Sequence, residues 1–121
     1  MMASGFAQIL EDTVTSVPGA LGAIFVDWEG EAVDEFATPA EPDIRVTGAQ
    51  WGVAYYLARD LCAKHALGMP SEVVLGFQQQ QVIIRRVTDE YLMVLAMQPD
   101  ANLGLALEQV RRAVVRLREE M

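Results

Sequence analysis

Residues 17–37 read VPGALGAIFVDWEGEAVDEFA, and the rest of the chain is arranged around them. Val17-Pro18-Gly19 stops any preceding helix, because proline pushes Val17 out of the helical region and glycine turns the chain. Residues 20–28 hold no polar side chain before Asp27. A strand without polar alternation is covered on both faces and belongs at a sheet centre. Glu29-Gly30 supplies a hairpin turn, since glycine accepts the positive φ that tight turns need. The return strand, residues 31–38, mixes Glu31, Asp34 and Glu35 with Val33 and Phe36. Charges on such a strand guard an open edge.

Upstream, Phe6, Ile9, Leu10 and Val14 fall at helical spacing, so residues 4–16 form a helix with Ser4 as its cap. Downstream, two prolines break residues 38–43, and a long helix covers residues 44–67. One stripe of that helix (Val46, Ala49, Val53, Leu57, Leu61) is assigned to the sheet. A second face carries Gly48, Trp51, Gly52, Tyr55, Ala58, Arg59 and Cys62. Glycine inside a helix costs about 1 kcal/mol against alanine. Close approach of another helix is the simplest compensation, so these seven residues are predicted to form a dimer or partner interface. Aromatic residues among small neighbours favour the same reading.

Three more strands follow at residues 72–77, 82–87 and 91–97, the last a continuous apolar run, YLMVLAM. A final helix begins after Asp100 or Asn102, either of which suits an N-cap. Its core stripe is Leu103, Leu107, Val110, Val114 and Leu117, and its arginines cluster toward the C-terminus, where cations suit the macrodipole. The fold class is therefore α+β, an α/β sandwich of order α-β-β-α-β-β-β-α. The two fully apolar strands should be central neighbours, which gives a five-stranded, mainly antiparallel sheet of order 2-1-5-4-3. Helices one and three share one face and helix two covers the other. Strand three becomes an exposed edge, able to pair with strand three of a second copy.

The 121 residues suit one domain, residues 1–121, and at 52% apolar they bury a core without staples. A single cysteine excludes an intrachain disulfide, and no cluster has zinc-ligand spacing. No apolar run spans a bilayer, and the N-terminus lacks a signal peptide's basic region. The expected location is cytoplasmic, without direct membrane insertion. The first 60 residues hold ten acids against two bases, while the remainder is balanced at seven of each. An acidic half argues against nucleic acid as partner. It would steer a basic partner, although solubility alone accounts for it equally well.

No constellation carries chemistry, so no catalytic, cofactor-binding or metal residues are assigned. Asp27, Glu29, Glu31, Asp34 and Glu35 lack calcium-loop spacing and read as a solvated hairpin tip. Cys62 and His65 share a helix face but have no orienting acid or amide. Arg85, Arg86 and the arginines of the last helix could meet an acidic partner or act as a finger at a nucleotide, but the reading preferred is solubilising charges paired with Glu108, Glu119 and Glu120.

Residues 17–30, with their proline-glycine entry and apolar strand ending in Asp27, resemble the opening of Roadblock/dynein-light-chain domains. Residues 91–97, followed by Asn102-Leu103-Gly104 and a Leu/Arg-rich helix, resemble that family's last strand and helix. Length and single-domain form are similar to the bacterial MglB-type members. The resemblance implies a non-enzymatic homodimer with one continuous sheet. It implies binding to a small Ras-like GTPase of the MglA kind and modulation of its nucleotide cycle, without a donated catalytic arginine. A scaffold or adaptor in a motility or transport assembly is the alternative. A small-molecule sensor is the third reading; it would need polar residues pointing into the core.

Overall fold

The computed structural model describes residues 5–121. Its elements are α1 (Gly5–Ser16), β1 (Ala20–Asp27), β2 (Ala32–Ala37), α2 (Ile44–Lys64), β3 (Glu72–Gly76), β4 (Gln81–Arg86), β5 (Tyr91–Met97) and α3 (Leu103–Glu120). The predicted cap at Ser4 lies outside the described residues. All strand pairs are antiparallel, in the order β2-β1-β5-β4-β3. The α+β arrangement expected from the two apolar strands is the one observed.

Alternation along the central strands divides two apolar layers. Ala23, Phe25, Ile83, Met93, Leu95 and Met97 face α1 and α3. Ile24, Val26, Val82, Ile84, Leu92, Val94 and Ala96 face α2. Because β1 and β5 feed both layers, neither tolerates a polar position. Thr13 is buried, and its hydroxyl donates to Ile9 O at 2.8 Å.

Turns and caps follow local chemistry. Gly30 has φ +87°. Before it, Asp27 Oδ1 accepts the amides of Glu29 and Glu31 at 2.9 and 3.0 Å. The carboxylate at the hairpin tip thus closes the turn. Of the two cap candidates, Asn102 is the one used: its Oδ1 accepts the Leu105 amide at 3.0 Å. Arg116 bonds Asp12 at 3.0 Å and ties α3 to α1. The Gln8 amide holds the Asp12 carboxyl below its usual range against the opposing effect of burial, and Arg116 adds to the lowering.

The sheet's two ends differ in cover. α1 lies on β1 and β2, α3 over β4 and β5, and α2 chiefly over β1 and β2. β3 is the least covered strand.

One expectation is reversed. Val46, Val53, Leu57 and Leu61, assigned to the sheet, point to solvent, whereas Ile44, Gly48, Gly52 and Tyr55 are the buried residues of α2. Both faces of α2 are apolar enough to be buried, and hydropathy favours the one that the fold leaves exposed. Side-chain size decides the other way. At Gly48 an added Cβ would lie 2.4 Å from Ile24 Cγ2. At Gly48 the helix backbone therefore rests directly on the Ile24 side chain of β1, and the bulkier Val and Leu side chains are turned away.

Candidate functional site

The exposed face of α2 is the feature that a self-contained domain would not need. Leu57 is 63% exposed, and Val46, Val53 and Leu61 are nearly as open. Their spacing of seven, four and four residues makes one seam along the helix, as at helix–helix contacts. Beyond the end of α2, Leu67 and Met69 are also exposed. Large apolar side chains clustered on one element mark an interaction surface.

The seven residues predicted for an interface are divided by the fold. Gly48, Gly52 and Tyr55 are buried. Tyr55 is 2% exposed, and its hydroxyl donates to Pro70 O at 2.8 Å. Burial is the main cause that raises its phenol above the ordinary value. Trp51, Ala58, Arg59 and Cys62 are half-buried on the flanks. Arg59 lies over the Tyr56 ring, 5.3 Å from its centroid, a cation–π geometry. Trp51 stacks on Phe77, just past β3, with centroids 5.4 Å apart and planes 29° from parallel. Its indole Nε1 is buried without an acceptor among the described residues. A shallow hollow of about 400 Å³ lies against this stack, lined by Trp51, Phe77, Gln79 and Gln80.

β3 extends the surface beyond α2. Arg86 N–H donates to Ser71 O, and Phe77 N–H to Gln80 O. Odd-numbered residues of the strand therefore bond β4, and Glu72, Val74 and Gly76 turn their peptide groups to the open edge. The open edge, exposed Val74 and Phe77, and the α2 seam lie on elements joined through the Trp51 stack. The stripe was legible in its spacing but was assigned to the sheet; the contribution of Phe77 was not legible, because it depends on where a turn residue meets a helix.

Chemistry is not concentrated elsewhere. Each arginine of the second half is engaged: Arg85 and Arg111 with Glu72, Arg86 with Asp89, Arg112 with Glu108, Arg116 with Asp12, and Arg118 with Val87 O. Of the expected acidic partners, Glu108 is used, and Glu72, Asp89 and Asp12 supply the rest. Among the described residues no group of three or more His, Cys, Asp or Glu is placed to hold a metal ion. No described helix is long and apolar enough to cross a membrane. A hollow of about 430 Å³ is lined by Pro18, Gly19, Gln98, Asp100, Ala101, Asn102 and Leu105, on surface turns and not between the strands.

The same arrangement of helices and sheet occurs in solved structures. The Roadblock/LC7 domain from Streptomyces avermitilis superposes with TM-score 0.84 at 15% identity, covering 93% of each chain. The chain has the Roadblock/LC7 fold. An MglB structure with a tetrameric arrangement matches this Roadblock fold with TM-score 0.85 at 15% identity, covering 100% of this chain and 96% of the other. MglC from Myxococcus xanthus matches with TM-score 0.71 at 27% identity, over 97% and 99% of the two chains. No family model and no curated protein matches the sequence.

The two buried glycines of α2 make separable demands on this Roadblock fold. A Cβ at Gly52 meets nothing within 4 Å. Gly52→Ala is expected to raise stability by up to about 1 kcal/mol, the helix-propensity gain. Gly48→Ala is expected to lower it by about 1–2 kcal/mol, because overpacking against fully buried Ile24 exceeds that gain. Denaturant midpoints of the two variants should move in opposite directions.

Proposed function

We propose that this chain is a non-enzymatic, homodimeric regulator that binds a small Ras-like GTPase of the MglA kind and modulates its nucleotide cycle. The observation that carries the reading is the exposed apolar seam of α2 beside the open β3 edge, on a fold shared with MglB and MglC. In the dimer, β3 pairs with β3 of the second copy and the two α2 helices lie side by side. Self-association accords with the tetrameric arrangement of one solved MglB. Of the seven sequence-derived interface residues, Trp51, Ala58, Arg59 and Cys62 act at the flank of this surface, while Gly48 and Tyr55 hold α2 in place behind it and Gly52 is buried beside them. The GTPase docks on the composite surface of the two chains. It is regulated only as far as that surface discriminates between its nucleotide states.

Mixing the protein with a small Ras-like GTPase and following phosphate release and nucleotide exchange tests the regulatory step. A changed rate of either supports it. Binding with both rates unchanged favours the scaffold reading, and no binding to any nucleotide state overturns both. Trp51→Ala removes the Phe77 stack and is expected to weaken the dimer. Light scattering that finds an undiminished dimer at low micromolar concentration would count against a role for the Trp51 flank.

A further inference from the structure

The sheet has two outer strands, and they are finished in opposite ways. β3 runs in unbroken register with β4 and presents the peptide groups of Glu72, Val74 and Gly76. β2 is finished against pairing. Its register with β1 slips between Phe25 and Val26, leaving Val33 as an extra residue; such a bulge twists an edge away from a flat partner. Thr38 N–H donates to Leu21 O, so Thr38, Phe36 and Asp34 bond β1 while Glu35 and Ala37 face outward. The outward Glu35 amide is already taken, because Asp34 Oδ1 accepts it at 2.9 Å. The Glu35 carboxylate is held beside the edge by Arg45 Nε at 2.7 Å. A second β2 laid alongside would find one amide donor taken and would bring Asp34 and Glu35 toward their counterparts; opposed like charges destabilise a strand pair, less so at Glu35, whose charge Arg45 partly offsets.

We propose that Asp34 and Glu35 form a lock on the β2 edge, so that self-association through β3 ends at a closed pair of chains. The inference rests on the β3-paired dimer proposed above. In that dimer the sheet edges left among the described residues are the two copies of β2. Were they open, β2–β2 contacts would alternate with β3–β3 contacts and build a filament in place of a closed pair. The bulge alone weakens pairing; the amide capture and the two charges complete the block.

The test is Asp34→Val combined with Glu35→Thr, which restores the outward amide and removes both charges. Light scattering and sedimentation are read against protein concentration for both proteins, with circular dichroism confirming the fold. Wild type should level at the mass of two chains, and the double variant should grow beyond it as concentration rises. Adding Val74→Pro to the double variant blocks the β3 edge and should return it to pairs joined through β2. A folded double variant that stays at the wild-type mass overturns the lock. If wild type proves monomeric, the β3 dimer fails, but the lock still stands or falls on whether the double variant pairs. Should the double variant not fold, Asp34→Ala, which frees the Glu35 amide at a half-buried edge position, is judged by the same measure.

Discussion

Replacing Leu57 and Leu61 by aspartate should turn the proposed dimer into a well-folded monomer. Both side chains are more than half exposed in the isolated chain, so the monomer gives up little core when they change. In the proposed dimer each would be covered by the second α2. Covering the exposed portion of a leucine is worth on the order of 1–2 kcal/mol, and the two-fold axis counts each position twice. Against that gain stands an association cost of about 4–15 kcal/mol, so losing these contacts and burying four carboxylates leaves no stable pair. The expected result is a single-chain mass by light scattering at concentrations where wild type is dimeric, with the thermal unfolding of the monomer preserved. A folded double variant that remains dimeric would remove the α2 seam from the interface.

The second large effect separates the two faces of α2. Tyr55→Ala should cost about 3–5 kcal/mol of folding stability, as deletions of large buried aromatic side chains do, and it leaves Pro70 O without its donor. With a domain's total near 5–15 kcal/mol, that loss should lower the urea midpoint severely or abolish folding. Tyr55→Phe should cost only the hydrogen bond, about 1 kcal/mol. If Tyr55 instead lay on an exposed interface, as its place among small residues suggests, Tyr55→Ala would weaken association and leave the unfolding of the monomer nearly unchanged. Denaturation measured on the dimerisation-deficient Leu57/Leu61 background distinguishes these outcomes.

Much of the architecture was legible beforehand because it follows from short-range constraints. Pro18 and Gly19 end α1. Gly30, supported by the Asp27 carboxylate, turns the first hairpin. The unbroken apolar runs of β1 and β5 require cover on both faces, and adjacency at the centre is what satisfies both. Once those two strands are neighbours, short connections leave β2 and β3 as the edges. The guarding charges on β2 were also visible in the alternation. That one of them takes up its neighbour's amide was not, since it depends on a side-chain rotamer at the bulge.

Helix α2 is where sequence reasoning about the surface failed, and the reason is specific. Val46, Val53, Leu57 and Leu61 form the more hydrophobic stripe, and burial by hydropathy alone sends them to the sheet. The face of Gly48, Gly52 and Tyr55 is less hydrophobic per residue but thinner, which lets the helix backbone approach Ile24 closely. Of the two glycines, Gly48 marks a close approach, to this chain's own β1, and Gly52 does not.

The order of elements, the central hairpin and strand, the division of the core between two helical layers and the presence of two apolar faces on one helix were determined by the sequence itself. Only the tertiary structure decided which of those faces stays within the chain and which is offered outward. Hydropathy records how much a face gains from being covered. Which partner covers it is set by distance and shape: the Ile24 side chain fills the space a Cβ at Gly48 would need, and the Tyr55 hydroxyl reaches Pro70 O only with this face inward.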